Sequence, residues 1–129
     1  MKTLTESQLK KVAEKRAINM AKVIATASAI PTQGMGATKQ VGSDRYPFTI
    51  VEVSDTLGFI IVKADKAIAK EGSNYYGNQD YTCEANEKAR EQKYTLRKNG
   101  RYYIDGESMK HSFNSISVGQ RSHYLDPSF

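Results

Sequence analysis

Tyr94-Thr95-Leu96-Arg97-Lys98-Asn99-Gly100-Arg101-Tyr102-Tyr103-Ile104 is the stretch on which the fold turns. Two β-branched and aromatic runs flank Asn99-Gly100, a dipeptide suited to the two φ > 0 positions of a type I′ turn. The stretch therefore reads as a hairpin in which Lys98 opposes Arg101, Arg97 opposes Tyr102, Leu96 opposes Tyr103 and Thr95 opposes Ile104. In that register Tyr94, Leu96 and Tyr103 share one face, and Thr95, Arg97, Tyr102 and Ile104 share the other.

The same period continues on both sides. Phe48 to Val53 and Phe59 to Lys63 are β-rich runs separated by Ser54-Asp55-Thr56-Leu57-Gly58, which reads as a second hairpin. A last strand is expected from Phe113 to Val118. Between the hairpins, Glu71 to Arg90 is polar, with Tyr75, Tyr76 and Tyr81 among Gly, Asn and Asp. It reads as a long loop with a short helix at Glu84 to Arg90.

The N-terminal part has a different period. Leu9, Val12, Ala13, Ala17, Met20, Ile24 and Ala27 recur at steps of three and four, behind Thr5 or Ser7 as caps, so an amphipathic helix is expected to end before Pro31. Roughly twenty-three residues make a rod of about 35 Å. Such a helix either crosses its own sheet or packs against another subunit. With 129 residues in all, we expect a single domain: a helix over residues 1–30 and a β-rich body over 31–129. The expected class is α+β, a long N-terminal helix followed by a small twisted antiparallel sheet or partial barrel.

The net charge of +5 is unevenly placed. Met1 to Gln40 carries seven basic residues against Glu6 and Glu14, and the remainder has twelve of each sign. Within that neutral remainder, Lys93 to Arg121 is a second basic region. Cys83 is alone, which excludes an internal disulfide framework and a Cys-rich zinc site and fits a reducing cytoplasm. Lysines and arginines interrupt the first thirty residues, so neither a secretory leader nor a membrane span is expected.

Catalytic parts are scarce. His111 and His123 are the only histidines, and neither stands beside a marked nucleophile. No metal-ligand spacing, P-loop or dinucleotide fingerprint is present, and Gly34-Met35-Gly36-Ala37 lacks the third glycine and the preceding strand. What recurs is tyrosine beside arginine: Arg45-Tyr46, Arg97 opposite Tyr102, Arg101-Tyr102-Tyr103, and Arg121 ahead of Tyr124. Rings can stack on a base and guanidinium groups can grip phosphate. The same pairs equally suit half-buried tyrosines covered by arginine, at about 0.5–1 kcal/mol per contact. In the tail, Phe129 would close the core and Arg121 would pair with Asp126.

Gly34-Met35-Gly36-Ala37-Thr38, Ser43 to Val53, Thr95 to Arg101, Val118 to Arg121 and Tyr124-Leu125-Asp126-Pro127-Ser128-Phe129 together resemble small proteins of bacteriophages and prophages. The likeness runs from Gly34 to Phe129 and leaves out the N-terminal helix. Within that group the chain is similar to the type 1 Thoeris anti-defence sponge, a family that binds a cyclic ADP-ribose signal, or in some members cyclic oligonucleotides, in pockets between subunits without cleaving it. The resemblance implies a binding protein and not an enzyme, with no cofactor or metal, acting in the cytoplasm of an infected bacterium. It implies a small anionic nucleotide as ligand and a homo-oligomer, whose subunits the long amphipathic helix would assemble. Positions of suitable type are Arg121, Arg97 and Arg45 for phosphate, Tyr94 or Tyr103 for stacking, and Met35, Ala37 and Thr38 for backbone amides near the ligand. The alternative is a nucleic-acid-binding accessory protein that uses Lys10, Lys11, Lys15 and Arg16 of the helix.

Overall fold

The computed structural model describes residues 5–26, 29–74, 79, 81–119 and 123–124. Helix α1 (Glu6–Ala25) begins at Thr5, whose hydroxyl accepts from the Gln8 amide while the Gln8 side chain accepts from the Thr5 amide. This reciprocal pair satisfies two of the donors that a helix start leaves open. The strands are β1 (Gly36–Val41), β2 (Asp44–Val53), β3 (Phe59–Ala64), β4 (Lys66–Ala69), β5 (Tyr81–Glu84), β6 (Glu91–Leu96), β7 (Tyr102–Ile104) and β8 (Ser115–Val118). Six of them close an antiparallel barrel in the order β1-β2-β3-β6-β7-β8, with β8 returning to β1, and β4 pairs with β5 in a separate ribbon. The architecture is thus α+β, as expected, and the sheet is fully closed.

Inward residues from every barrel strand fill the interior: Ala37, Phe48, Ile50, Ile60, Val62, Tyr94, Tyr102 and Ile116 pack with Val23 of α1. A bulge makes this filling possible. Ile50 faces Val62 while Glu52 faces Ile61, so Val51 is an extra residue in β2. Strict alternation from Phe48 and Ile50 would aim Glu52 inward. The bulge sends Glu52 out to solvent and lets Val53 pack against the core.

The deciding hairpin differs from its sequence reading by one residue. Leu96 pairs with Tyr102, Thr95 with Tyr103 and Tyr94 with Ile104. Its loop has three residues, closed by the Arg97 amide on the Arg101 carbonyl (2.9 Å) and the Gly100 amide on the Arg97 carbonyl (3.0 Å). Gly100 alone takes a left-handed conformation, at φ +81°, and Asn99 does not. Asn99 spends its side chain locally, accepting from the Arg101 amide and donating to the Tyr103 hydroxyl. This is the three-residue hairpin, a type I turn ending in a glycine bulge, and not the two-residue type I′ form. A shift of one residue exchanges the faces, so Tyr102 is inside and Tyr103 outside.

Helix α1 closes one end of the barrel. Val23 enters the core, and three successive carbonyls of the β2–β3 turn are bonded from above: Asp55 accepts from Arg16 Nη1 (3.0 Å), Thr56 from Asn19 Nδ2 (2.7 Å) and Leu57 from the Tyr102 hydroxyl (2.5 Å). Leu57 is fully buried and held at φ +63°, a conformation that leucine adopts only under such constraint. These donors turn the helix away from its expected face. The docked face carries Val12, Arg16, Asn19, Met20 and Val23, whereas Ala13 and Ala17 are exposed and Leu9, Ile18 and Ile24 stay 53–60% exposed. Ala27 lies outside the described residues.

Two smaller expectations also change. Glu84 to Arg90 holds no helix: Glu84 ends β5, and Asn86 builds a turn by accepting from the Lys88 amide while Lys63 Nζ donates to the Glu87 carbonyl. Phe113 precedes the last strand in a 3₁₀ turn (Ser112–Asn114), stacked on His111, because Asn114 is buried with its amide on the Ser108 carbonyl. The strand begins only at Ser115. Tyr75, Tyr76, Asp126 and Phe129 lie outside the described residues.

Candidate functional site

The packed interior puts ligand chemistry on the outer wall. Polar side chains stand on the outer wall at β1 and β8, Gln40 on the first and Ser115 and Ser117 on the second, with Arg101 just ahead of β7. With Gly42 these residues line a groove of about 320 Å³. Its lining therefore offers one guanidinium, two hydroxyls and one amide, with no carboxylate. Gln40 Nε2 donates to the Gly42 carbonyl (3.0 Å), which ties the amide to a second residue of the lining. Across the ladder from Gln40 stands Arg45, whose guanidinium lies 5.6 Å from the centre of the Tyr124 ring. Arg45 and Tyr124 also exchange two backbone hydrogen bonds (2.7 and 3.0 Å), so the tail adds one residue pair to β2 ahead of where its pairing with β3 begins at Phe48.

An aromatic cluster stands next to that pair. The His123 ring meets Tyr81 edge-on at 4.3 Å and Tyr46 at 6.4 Å, joining β5, β2 and the tail. Burial holds the His123 imidazole below its ordinary value, with the Asp44 carboxylate pulling the other way. Tyr46 is 36% exposed and shares a hydrogen bond with Asp44.

The residues selected from sequence are dispersed by the fold. Arg45 is exposed beside the groove. Arg97 is already committed: it donates to Thr95 Oγ1 (2.9 Å) and to the carbonyls of Ile104 and Glu107 (3.0 Å each), over the Tyr103 ring. Tyr103 is buried beneath it, its hydroxyl held by Asn99. Tyr94 belongs to the core, with a hydroxyl that has no partner among the described residues and is pushed up to about 12 by burial. Neither ring presents a face to a surface ligand. Ala37 is fully buried and Met35 packs against the core. Ala37 and Thr38 lie in ladders on both sides, and the Met35 amide donates to Thr32, so these amides serve the barrel. Arg121 lies outside the described residues.

Arg101, Ser115, Ser117 and Gln40 were not singled out as a group by sequence. The legible signal was the alternation Ser115-Ile116-Ser117-Val118, a strand with one hydroxyl face. It gains meaning only when β8 closes on β1. Among the described residues, no group of three or more His, Cys, Asp or Glu is placed to hold a metal, and no helix is long and apolar enough to cross a membrane. Compared with known protein families, curated proteins and solved structures, the chain matches none.

Proposed function

We propose that this is a phage-encoded binding protein that captures a cyclic nucleotide immune signal, of the cyclic ADP-ribose or cyclic oligonucleotide type, and holds it without cleavage. The observation that carries this reading is the outer groove of about 320 Å³, lined by Arg101, Ser115, Ser117 and Gln40 without a carboxylate. Its size is at the lower end of the range of small-ligand sites, about 300–1,000 Å³. Arg101 supplies a bidentate grip on phosphate, while the serine hydroxyls and the Gln40 amide suit phosphate and ribose oxygens. Arg45 over Tyr124 provides a second cation on the adjoining strand. Nanomolar capture requires about −12 kcal/mol.

In the same reading a second copy of the chain covers the exposed Leu9 and Ile24 of α1, and the protein acts in the infected bacterial cytoplasm. Sedimentation at several concentrations checks the assembly. The decisive experiment incubates the full chain with a panel of cyclic nucleotides, removes free ligand, heat-denatures the protein and identifies what is released. A raised melting temperature with intact nucleotide recovered, both lost in R101A and in S115A/S117A, is the expected result. A hydrolysed product, or no shift from any nucleotide, overturns the proposal.

A further inference from the structure

Two basic stretches distant in sequence meet where α1 touches the β6–β7 turn. Lys11, Lys15 and Lys22 are spaced i, i+4 and i+11, which aligns them along one side of the helix, and all three are exposed. That line is about 16 Å long at ~1.5 Å per residue. At its C-terminal end sits Gly100: a Cβ placed there would lie 2.7 Å from Thr26 Cγ2, 2.9 Å from the Lys22 carbonyl carbon and closer still to its oxygen. Lys98 and Arg101, both exposed, stand two residues before and one after Gly100, so the contact brings two barrel cations to that end of the helix. Arg101 also lines the groove.

The helix residues divide differently from a simple count of charge. Arg16 is turned toward the β2–β3 turn, on the Asp55 carbonyl. Lys10 lies about 100° round the helix from Lys11. Glu14 flanks the line, three residues from Lys11, and Glu6 lies on the far side. Cations near a helix C-terminus gain from its dipole, which would account for Lys22, Lys98 and Arg101. The dipole acts only within the last turn, so it leaves Lys11 and Lys15, three to four turns away, unexplained.

The geometry points to a docking strip for the phosphodiester backbone of a nucleic acid along Lys11, Lys15, Lys22, Lys98 and Arg101. A compact anion cannot reach along such a row, whereas a linear polyanion meets every cation in it. Ile18, exposed between Lys15 and Lys22, adds an apolar contact for a sugar or base. The strip goes beyond nucleotide capture in the groove and does not depend on it.

Fluorescence anisotropy of the full chain with a labelled 20-nucleotide single-stranded DNA, and with a duplex of equal length, tests this between 50 and 200 mM salt. Five contacts to a single strand, at about 0.7 released ions each, give a slope of about −3.5 and a loss of affinity of about a hundredfold over that range. K11Q/K15Q/K22Q should reduce the loss to about sevenfold, and K98Q/R101Q to about twentyfold. K10Q/K66Q, off the line, should keep the parental slope. Because every substituted side chain is exposed, matching thermal melts confirm folding. The proposal fails if neither DNA binds at 50 mM salt, if K10Q/K66Q loses as much as the strip variants, or if vesicles of anionic lipid bind the protein and DNA does not. Nucleotide-induced melting shifts in K11Q/K15Q/K22Q report on the groove separately.

Discussion

Replacing Gly100 with alanine should loosen the joint between α1 and the barrel. Two costs add at this position. The backbone sits at φ +81°, where an L side chain costs about 1–2 kcal/mol. The new methyl would also meet the Lys22 carbonyl and the Thr26 side chain, and overpacking of that kind costs about 1–3 kcal/mol. The sum is about 2–5 kcal/mol, a large part of the stability of a domain this size. Gly106 provides the control, because its φ is +82° and nothing lies within 4 Å of a Cβ there. G106A should therefore show the conformational cost alone, about 1–2 kcal/mol. Urea titration followed by far-UV circular dichroism measures both, and hydrogen exchange reads the amides of α1, which should lose protection in G100A and keep it in G106A. Equal destabilisation of the two variants, or unchanged α1 protection in G100A, would refute the account of helix docking given above.

Other consequences follow from the buried tyrosines and the arginines. Y94F removes a hydroxyl that has no partner among the described residues, so stability should hold or rise, whereas Y102F removes the bond to the Leu57 carbonyl and should cost about 1–2 kcal/mol by urea titration. Burial pushes both phenols up to about 12, for Tyr102 against the pull of the Arg16 charge. In the unfolded chain they ionise near 10, so their contribution to stability is intact below pH 10 and is lost as pH rises toward 12. Alkaline unfolding monitored in that window should be shallower in Y94F, and an unchanged profile would count against a buried Tyr94. R97A should lower the melting temperature by freeing the Ile104 and Glu107 carbonyls yet leave nucleotide binding intact. R101A should do the reverse.

Much of the fold was legible because it rests on local chemistry. Thr5, one of the two caps the sequence offers, marks the helix start, and the Phe48–Val53 and Phe59–Lys63 runs announce their hairpin. The errors arose where a tertiary partner decides between local options. Asn99-Gly100 permits two loops, and the packing of Gly100 against Lys22 and Thr26 belongs to the three-residue one. Periodicity also favoured Leu9 and Ile24 as the buried helix face, but a row of carbonyls in a turn 37 to 39 residues later required Arg16 and Asn19 instead. The candidate site suffered from the same cause. Arginine next to tyrosine in sequence looked like ligand chemistry, yet alternation placed Tyr94 inside, and Arg97 became a brace for backbone carbonyls. The groove joins Gln40 to Ser115 and Ser117, residues brought together only by barrel closure.

This redistribution gives Gly100 a place in both stability and recognition. The residue after it, Arg101, belongs at once to the groove and to the cationic line, and the residue it packs against, Lys22, is the last lysine of that line. A side chain at position 100 would push the β6–β7 turn away from α1. Arg101 would then move relative to Ser115 and Ser117 on one side and to Lys22 on the other. The excess charge of the N-terminal segment thus acquires meaning through a contact that charge counting cannot detect: a glycine without a Cβ lets the turn that carries Lys98 and Arg101 close on the Lys22 carbonyl of the helix.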